Sequence, residues 1–255
     1  MSIAEKLTTI AENQQKVYEV GKNDAHSEYI NPEWKIWAYF SYKNNRNDLV
    51  AKLRYSDTSN GTHFEDMFYN CSALTEVPEI DTSNGTQFSY MFYYCSALTE
   101  IPNLNLSKAT ELPSMFYGCS RLTAIPEINT IKAVNFNKMF YNCTRLVTIP
   151  KLNLSGSIYK TTTYSTSASA FNQMFYNCKA LENVTFEDYI YISASTSFFE
   201  TAPNITVDSL MSFINALVNL SGSSTTYTVT IGSTNLAKLT AEQIQIATDK
   251  NITLA

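Results

Sequence analysis

The pentapeptide Met-Phe-Tyr-x-Cys occurs five times in this chain, beginning at Met67, Met91, Met115, Met139 and Met174. The first three intervals are 24 residues and the last is 35. Each copy carries a Leu three residues after its Cys: Leu74, Leu98, Leu122, Leu146 and Leu181. Four copies continue with a β-branched residue and Pro: Val77-Pro78, Ile101-Pro102, Ile125-Pro126 and Ile149-Pro150. An apolar residue and Asp or Asn follow: Ile80-Asp81, Leu104-Asn105, Ile128-Asn129 and Leu152-Asn153. A partial copy precedes them, since residues 57–62 (Asp-Thr-Ser-Asn-Gly-Thr) recur at 81–86, and a degenerate one is expected around Phe198-Phe199. Chance does not produce such a series. One unit is too small to bury its own Met, Phe, Cys, Leu and Ile, so the units must stack and share a continuous core.

The spacing within a unit predicts its local form. Met67, Cys71 and Leu74 stand at i, i+4 and i+7, which is one face of a helix, with Phe68 beside it and Tyr69 opposite. The β-branched residue and Pro then demand extended backbone. Each unit is therefore expected to be one short helical turn, one short strand and two loops. The Pro removes a ladder donor, so the sheet should be short or irregular.

The period and the Cys-x-x-Leu-x-x-Ile pattern resemble leucine-rich repeats of the BspA-like (Treponema pallidum-type) class, over roughly residues 53–200. The strand departs from the general Leu-x-x-Leu-x-Leu form, because Val77-Pro78-Glu79-Ile80 sets a Pro within it. The resemblance implies an α/β fold: a leucine-rich-repeat solenoid spanning residues 53–203, with an insertion at 155–169. It also implies a surface adhesin that binds host or neighbouring-cell proteins.

The flanks read as closing elements. Residues 1–22 are expected to form an N-terminal helix, opened by the capping box Ser2-x-x-Glu5 and stopped at Gly21. Ile3, Leu7, Ile10, Gln14 and Val17 line one face, either packing on the repeats or forming a coiled coil, for which a homotrimer is favoured. Residues 23–52 hold Tyr29, Trp34, Trp37, Tyr39, Phe40 and Tyr42. They read as an aromatic N-terminal cap, the alternative being an aromatic ligand cage. Residues 204–255 read as an α/β C-terminal cap in the order helix, strand, helix, strand, with the second helix opened by the capping box Thr240-x-x-Gln243. Both flanks resemble those of prophage tail-associated repeat proteins of gut Firmicutes.

Composition narrows the chemistry. A net charge of −5 argues against nucleic-acid binding through a basic surface. The start shows no basic region before an apolar core, so no secretory signal is expected, and residues 210–220 are too short and too polar to insert in a membrane. Cys71, Cys95, Cys119, Cys143 and Cys178 share one repeat position and read as a column of buried thiols rather than a metal or disulfide array, since their spacing matches no zinc motif. His26 and His63 lie beside no nucleophile motif, and Glu76, Glu79, Glu100 and Glu127 read as a solvated face. No phosphate loop, zinc-protease motif or calcium loop is present. No catalytic residue, cofactor or metal is assigned.

Two features point to binding. Tyr69, Tyr93, Tyr117, Tyr141 and Tyr176 should form an outward column, either a ladder stabilising neighbouring turns or an aromatic stripe for sugar or protein recognition. The insertion places Tyr159, Lys160 and Tyr164 among Ser and Thr, where solenoids put loops of the binding face. The expected function is a noncatalytic recognition module: a phage or prophage tail-associated adhesin, made in the cytoplasm and carried on the virion. Its partner is a bacterial surface protein or a cell-surface glycan. The alternatives are a bacterial BspA-like surface adhesin and a phage-encoded intracellular protein–protein interaction factor.

Overall fold

The computed structural model describes residues 58–156, 170–187 and 189–255. The expectations for residues 1–22 and 23–52, and for 157–169 of the insertion, lie outside the described residues.

The copies lie one upon the next as rungs, joined by backbone hydrogen bonds between residues one period apart. The Met-Phe-Tyr-x-Cys segment is not the helical turn its spacing predicts. Along the first rung the N–H groups alternate in direction. Those of Met67, Tyr69 and Cys71 donate to carbonyls three residues back, Phe64 O, Asp66 O and Phe68 O, at 3.4, 2.9 and 3.1 Å. Those of Phe64, Asp66, Phe68 and Asn70 donate to the next rung, at Gln87 O, Ser89 O, Met91 O and Tyr93 O, over 2.6–3.0 Å. A helix would consume all of these donors internally. Here every second one ties a rung to its neighbour.

Left-handed backbone makes this alternation. The residue before each Met and the one before each Cys have positive φ in all five copies: Asp66 and Asn70, Tyr90 and Tyr94, Ser114 and Gly118, Lys138 and Asn142, Gln173 and Asn177. Residues with φ near +55° break a right-handed helix after every turn. The burial read from the spacing is nevertheless the observed one. Met67, Phe68, Cys71 and Leu74 are buried, and Tyr69 is exposed.

The remaining sides of the rung follow from its other motif residues. Thr86 N donates to Thr62 O, Thr110 N to Thr86 O and Val134 N to Thr110 O. These contacts flank single-residue parallel bridges that run His63, Gln87, Glu111, Asn135. Asp81, Asn105, Asn129 and Asn153 turn the opposite corner, each side chain accepting from the N–H two residues on, at 2.9–3.2 Å. Between these corners the proline arm has little ladder. It gains one bridge, Ala124 to Thr148, and one parallel pair, β1 (Thr148–Leu152) with β2 (Asn183–Phe186). The register shifts between Ile149 and Leu152, around Pro150. The β2 copy has no Pro, and it is here that a regular strand forms.

Phenylalanines hold the interior. Phe68, Phe92, Phe116, Phe140, Phe175 and Phe199 stack in one file with ring centroids 5.2–5.6 Å apart and planes within 15° of parallel. Phe199 stands 24 residues after Phe175, so the degenerate copy takes the sixth place in the file, with Ala202 where the others have Cys. The insertion adds 11 residues between the fourth and fifth rungs without disturbing this packing. Phe136 N still meets Ala170 O at 2.8 Å and Phe140 N meets Met174 O at 3.0 Å.

The C-terminal residues close the stack. Helix α1 (Val207–Ala216) is capped by Thr206 and lies against β2. Its Ser209 and Ser212 hydroxyls accept from Val184 N and Phe186 N at 3.0 and 2.8 Å, occupying the outer edge of β2. Strands β3 (Thr196–Ser197), β4 (Tyr227–Thr230) and β5 (Ile252–Leu254) form a parallel sheet in that order. A short helix α2 (Ser233–Leu236) and helix α3 (Ala241–Asp249) connect β4 to β5, and the Thr240–Gln243 capping box forms at the start of α3. Buried Asn235 donates to Phe199 O, Ala202 O and Ile231 O at 2.8–3.2 Å. It supplies side-chain donors to the carbonyls of the last rung, where no further Cys is available. Among the described residues no helix is long and apolar enough to cross a membrane.

Candidate functional site

The repeat position that carries Cys is a working hydrogen-bond site inside the stack. All five thiols are free and buried. Cys95, Cys119, Cys143 and Cys178 each donate Sγ–H to the Phe carbonyl of the rung before: Phe68, Phe92, Phe116 and Phe140, at 3.0–3.1 Å. Burial pushes these thiols well above their usual range, the backbone N–H beside the preceding Cys offsetting it in part. They are neutral and shielded from solvent, which suits neither nucleophile nor metal ligand. Among the described residues no cluster of three or more His, Cys, Asp and Glu could hold a metal ion. His63 is half-buried and pairs its Nδ1 with the Thr62 hydroxyl at 2.8 Å, while His26 lies outside the described residues. Glu76, Glu79, Glu100 and Glu127 are all exposed.

The tyrosine column is assembled on the outer side. Tyr69, Tyr93, Tyr117, Tyr141 and Tyr176 stack face to face with centroids 4.8, 4.7, 4.5 and 4.7 Å apart. The spacing is that of paired strands, so the rung repeat itself sets the ring repeat. The column stops at Glu200, which holds the Tyr position in the sixth rung. Tyr69 is 40% exposed and the other four are half-buried. Burial and the neighbouring tyrosines push the Tyr93 and Tyr117 hydroxyls upward, so they remain protonated donors. Rings stacked in this way present edges and hydroxyls to solvent.

Spacing of the repeat alone did not single out Tyr90 and Tyr94, which flank this column in the second rung. Tyr90 meets Tyr93 at 5.6 Å and 73°; Tyr94 meets Tyr93 at 4.8 Å and 86° and Tyr117 at 5.3 Å and 61°. Both are 41% exposed. The signal was their place in the repeat, since Asn or Gly fills the Tyr94 position in every other copy. Of the remaining candidates, Tyr159, Lys160 and Tyr164 lie outside the described residues, as do Ile3, Leu7, Ile10, Gln14 and Val17.

The model of one protein family, described as "Mycoplasma protein of unknown function, DUF285", matches this chain over residues 38–151 and again over 99–211. No curated protein and no solved structure matches it. The two family matches together span residues 38–211, which takes in the rungs and a small part of each flank. The chain thus belongs to the DUF285 family, a family of BspA-like repeats.

Proposed function

We propose that this chain is a noncatalytic recognition module, an α/β leucine-rich-repeat solenoid whose outer aromatic side meets a partner at a cell surface. The observation that carries the reading is the tyrosine column, five rings held in register by the rungs beneath them. Stacked rings lose little conformational freedom on binding, and phenol edges offer both apolar contact and hydrogen bonds. The module acts as a phage or prophage tail-associated adhesin, multivalent through residues 1–22, with Tyr159, Lys160 and Tyr164 of the insertion contributing to the contact. The resemblance of its flanks to prophage tail-associated proteins supports that setting.

The test uses the intact chain, a chain lacking residues 1–22 and a chain lacking residues 159–167. Light scattering should give a trimer for the first and a monomer for the second. Labelled intact protein should adhere to cells of a gut Firmicutes panel, the truncated protein more weakly through lost avidity. Deleting 159–167 should weaken adhesion and leave melting nearly unchanged. A monomer in every case, with no adhesion to any cell, would refute the adhesin. Membership of a BspA-like family favours a second reading, a bacterial surface adhesin for proteins of a host or neighbouring cell. Adhesion to animal cells or matrix, and not to bacteria, would select it.

A further inference from the structure

The second rung breaks the repeat where the repeat is most demanding. The two left-handed positions of each rung are filled by Asp66 and Asn70, Ser114 and Gly118, Lys138 and Asn142, Gln173 and Asn177. Five of these eight are Asn, Asp or Gly, which accept φ > 0 most readily, whereas a bulky aromatic rarely adopts it. The second rung nevertheless has Tyr90 at φ 58° and Tyr94 at φ 55°. Neither ring is drawn into the core, since both remain 41% exposed. The neighbouring rung makes room for Tyr94. A Cβ on Gly118, the position equivalent to Tyr94, would lie 2.8 Å from Tyr94 Cδ1. Asn, the usual residue at this position, would collide with the ring.

We propose that Tyr90 and Tyr94, set on either side of Tyr93, form a stacking platform for a neutral saccharide. The inference rests on the recognition reading and names its ligand class. Ring orientation favours it. The column tyrosines lie across the column and show edges, whereas Tyr90 and Tyr94 stand at 73° and 86° to Tyr93, so their planes run along the column and their faces turn away from its axis. A pyranose offers flat C–H faces to such rings and hydroxyls to their surroundings. Charge also favours it. The equivalent positions one rung below are Asp66 and Asn70, a carboxylate and an amide suited to sugar hydroxyls. One rung above are Ser114 and Gly118, and in these three rungs neither position holds a cation for an anionic glycan.

The experiment titrates the full chain with chitohexaose, cellohexaose, maltohexaose and laminarihexaose, and with a heparin hexasaccharide as the anionic probe. At least one neutral hexasaccharide should bind. Tyr90→Asn and Tyr94→Asn should each weaken it about threefold to tenfold, the loss of one ring contact. Melting temperature should hold or rise, because Asn relieves the backbone. Gly118→Asn, which leaves both tyrosines in place but pushes Tyr94 aside, should weaken binding likewise. The proposal is overturned if no neutral hexasaccharide binds, if heparin binds better, or if the Asn variants bind undiminished. It is also overturned if they melt several degrees lower, since that would make the rings packing residues. Cell adhesion unchanged by Tyr94→Asn would remove this platform and leave the recognition reading standing. Adhesion to a protein partner that Tyr94→Asn abolishes, without any saccharide binding, would transfer the site to a protein and refute the saccharide.

Discussion

Replacing Cys119 with Ala and with Ser separates two accounts of the thiol column. If the sulfur were only apolar filling, Ser would be the worse substitution, because it places a hydroxyl in a dry site. The structure gives the opposite order. Cys119 is fully buried, and its Sγ already donates to Phe92 O at 3.1 Å. Ala removes one buried sulfur, a transfer loss of about 1 kcal/mol. It leaves a hole of about 20 Å³, worth about 0.5 kcal/mol at roughly 24 cal/mol per Å³. It also deletes a weak hydrogen bond worth about 0.5 kcal/mol, for a total of about 2 kcal/mol. Ser keeps a donor aimed at the same carbonyl, and a hydroxyl bonds more strongly than a thiol, so its net loss should be about 1 kcal/mol. Denaturant titration of the three proteins, with slopes compared to confirm equal exposure on unfolding, reads the difference. Ser costing more than Ala would refute the carbonyl bond. Stoichiometric zinc in the purified protein would refute the buried-thiol column itself.

Three further outcomes follow from the same geometry. Thr130 is fully buried; its hydroxyl donates to Asn153 O at 2.6 Å and accepts from Asn153 N at 3.2 Å, so Thr130→Val should cost about 1–3 kcal/mol in chemical denaturation. An unchanged midpoint would mean that this rung contact carries nothing. The native thiols should resist an aromatic disulfide reagent at about pH 8, and all five should react after unfolding. Because burial raises the folded thiols, stability should fall as pH climbs past the ordinary thiol value of 9.0, where only the unfolded chain ionises. Glu187 is held below the ordinary carboxylate value of 4.5 by Lys151 and then Asn153, so its stabilising contribution is present above that pH and lost as pH falls through the lower folded value. Glu187→Gln should therefore melt lower than the parent at neutral pH and alike in acid; a gap that persists in acid would assign the effect to packing.

Much of the packing is legible in the sequence because burial and period are read from the same residues. Met, Phe, Cys and Leu recur at fixed spacing, and all of them are buried in every described rung. The helix that the spacing predicts does not form, for a definite reason. Positions i, i+4 and i+7 share a face in a helix, but a chain of turns that reverses φ at every fourth residue returns the same residues to the same side. The distinguishing signal was present in the x of Met-Phe-Tyr-x-Cys, which is Asn at 70, 142 and 177 and Gly at 118. These are the residues that accept left-handed backbone. The polar bridge column His63, Gln87, Glu111 and Asn135 had no comparable signal, since what pairs these residues is their place in the rung and not their chemistry.

The contrast between Cys119 and Tyr94 explains why one part of the candidate site was legible and another was not. A residue that serves the stack must recur, because each rung presents the same groups to the next. The Cys donor, the Phe file and the Tyr column all obey this rule, so periodicity finds them. A ligand imposes no such period. It meets one place on the surface and favours whatever side chains suit it there, even on backbone that resists them. On the saccharide proposal, Tyr90, Tyr94 and the accommodating Gly118 are departures of that kind. In a chain built by repetition, the demands of stacking do not by themselves call for an exposed aromatic on left-handed backbone in one rung alone. Its explanation has to be sought in what lies against the outer face.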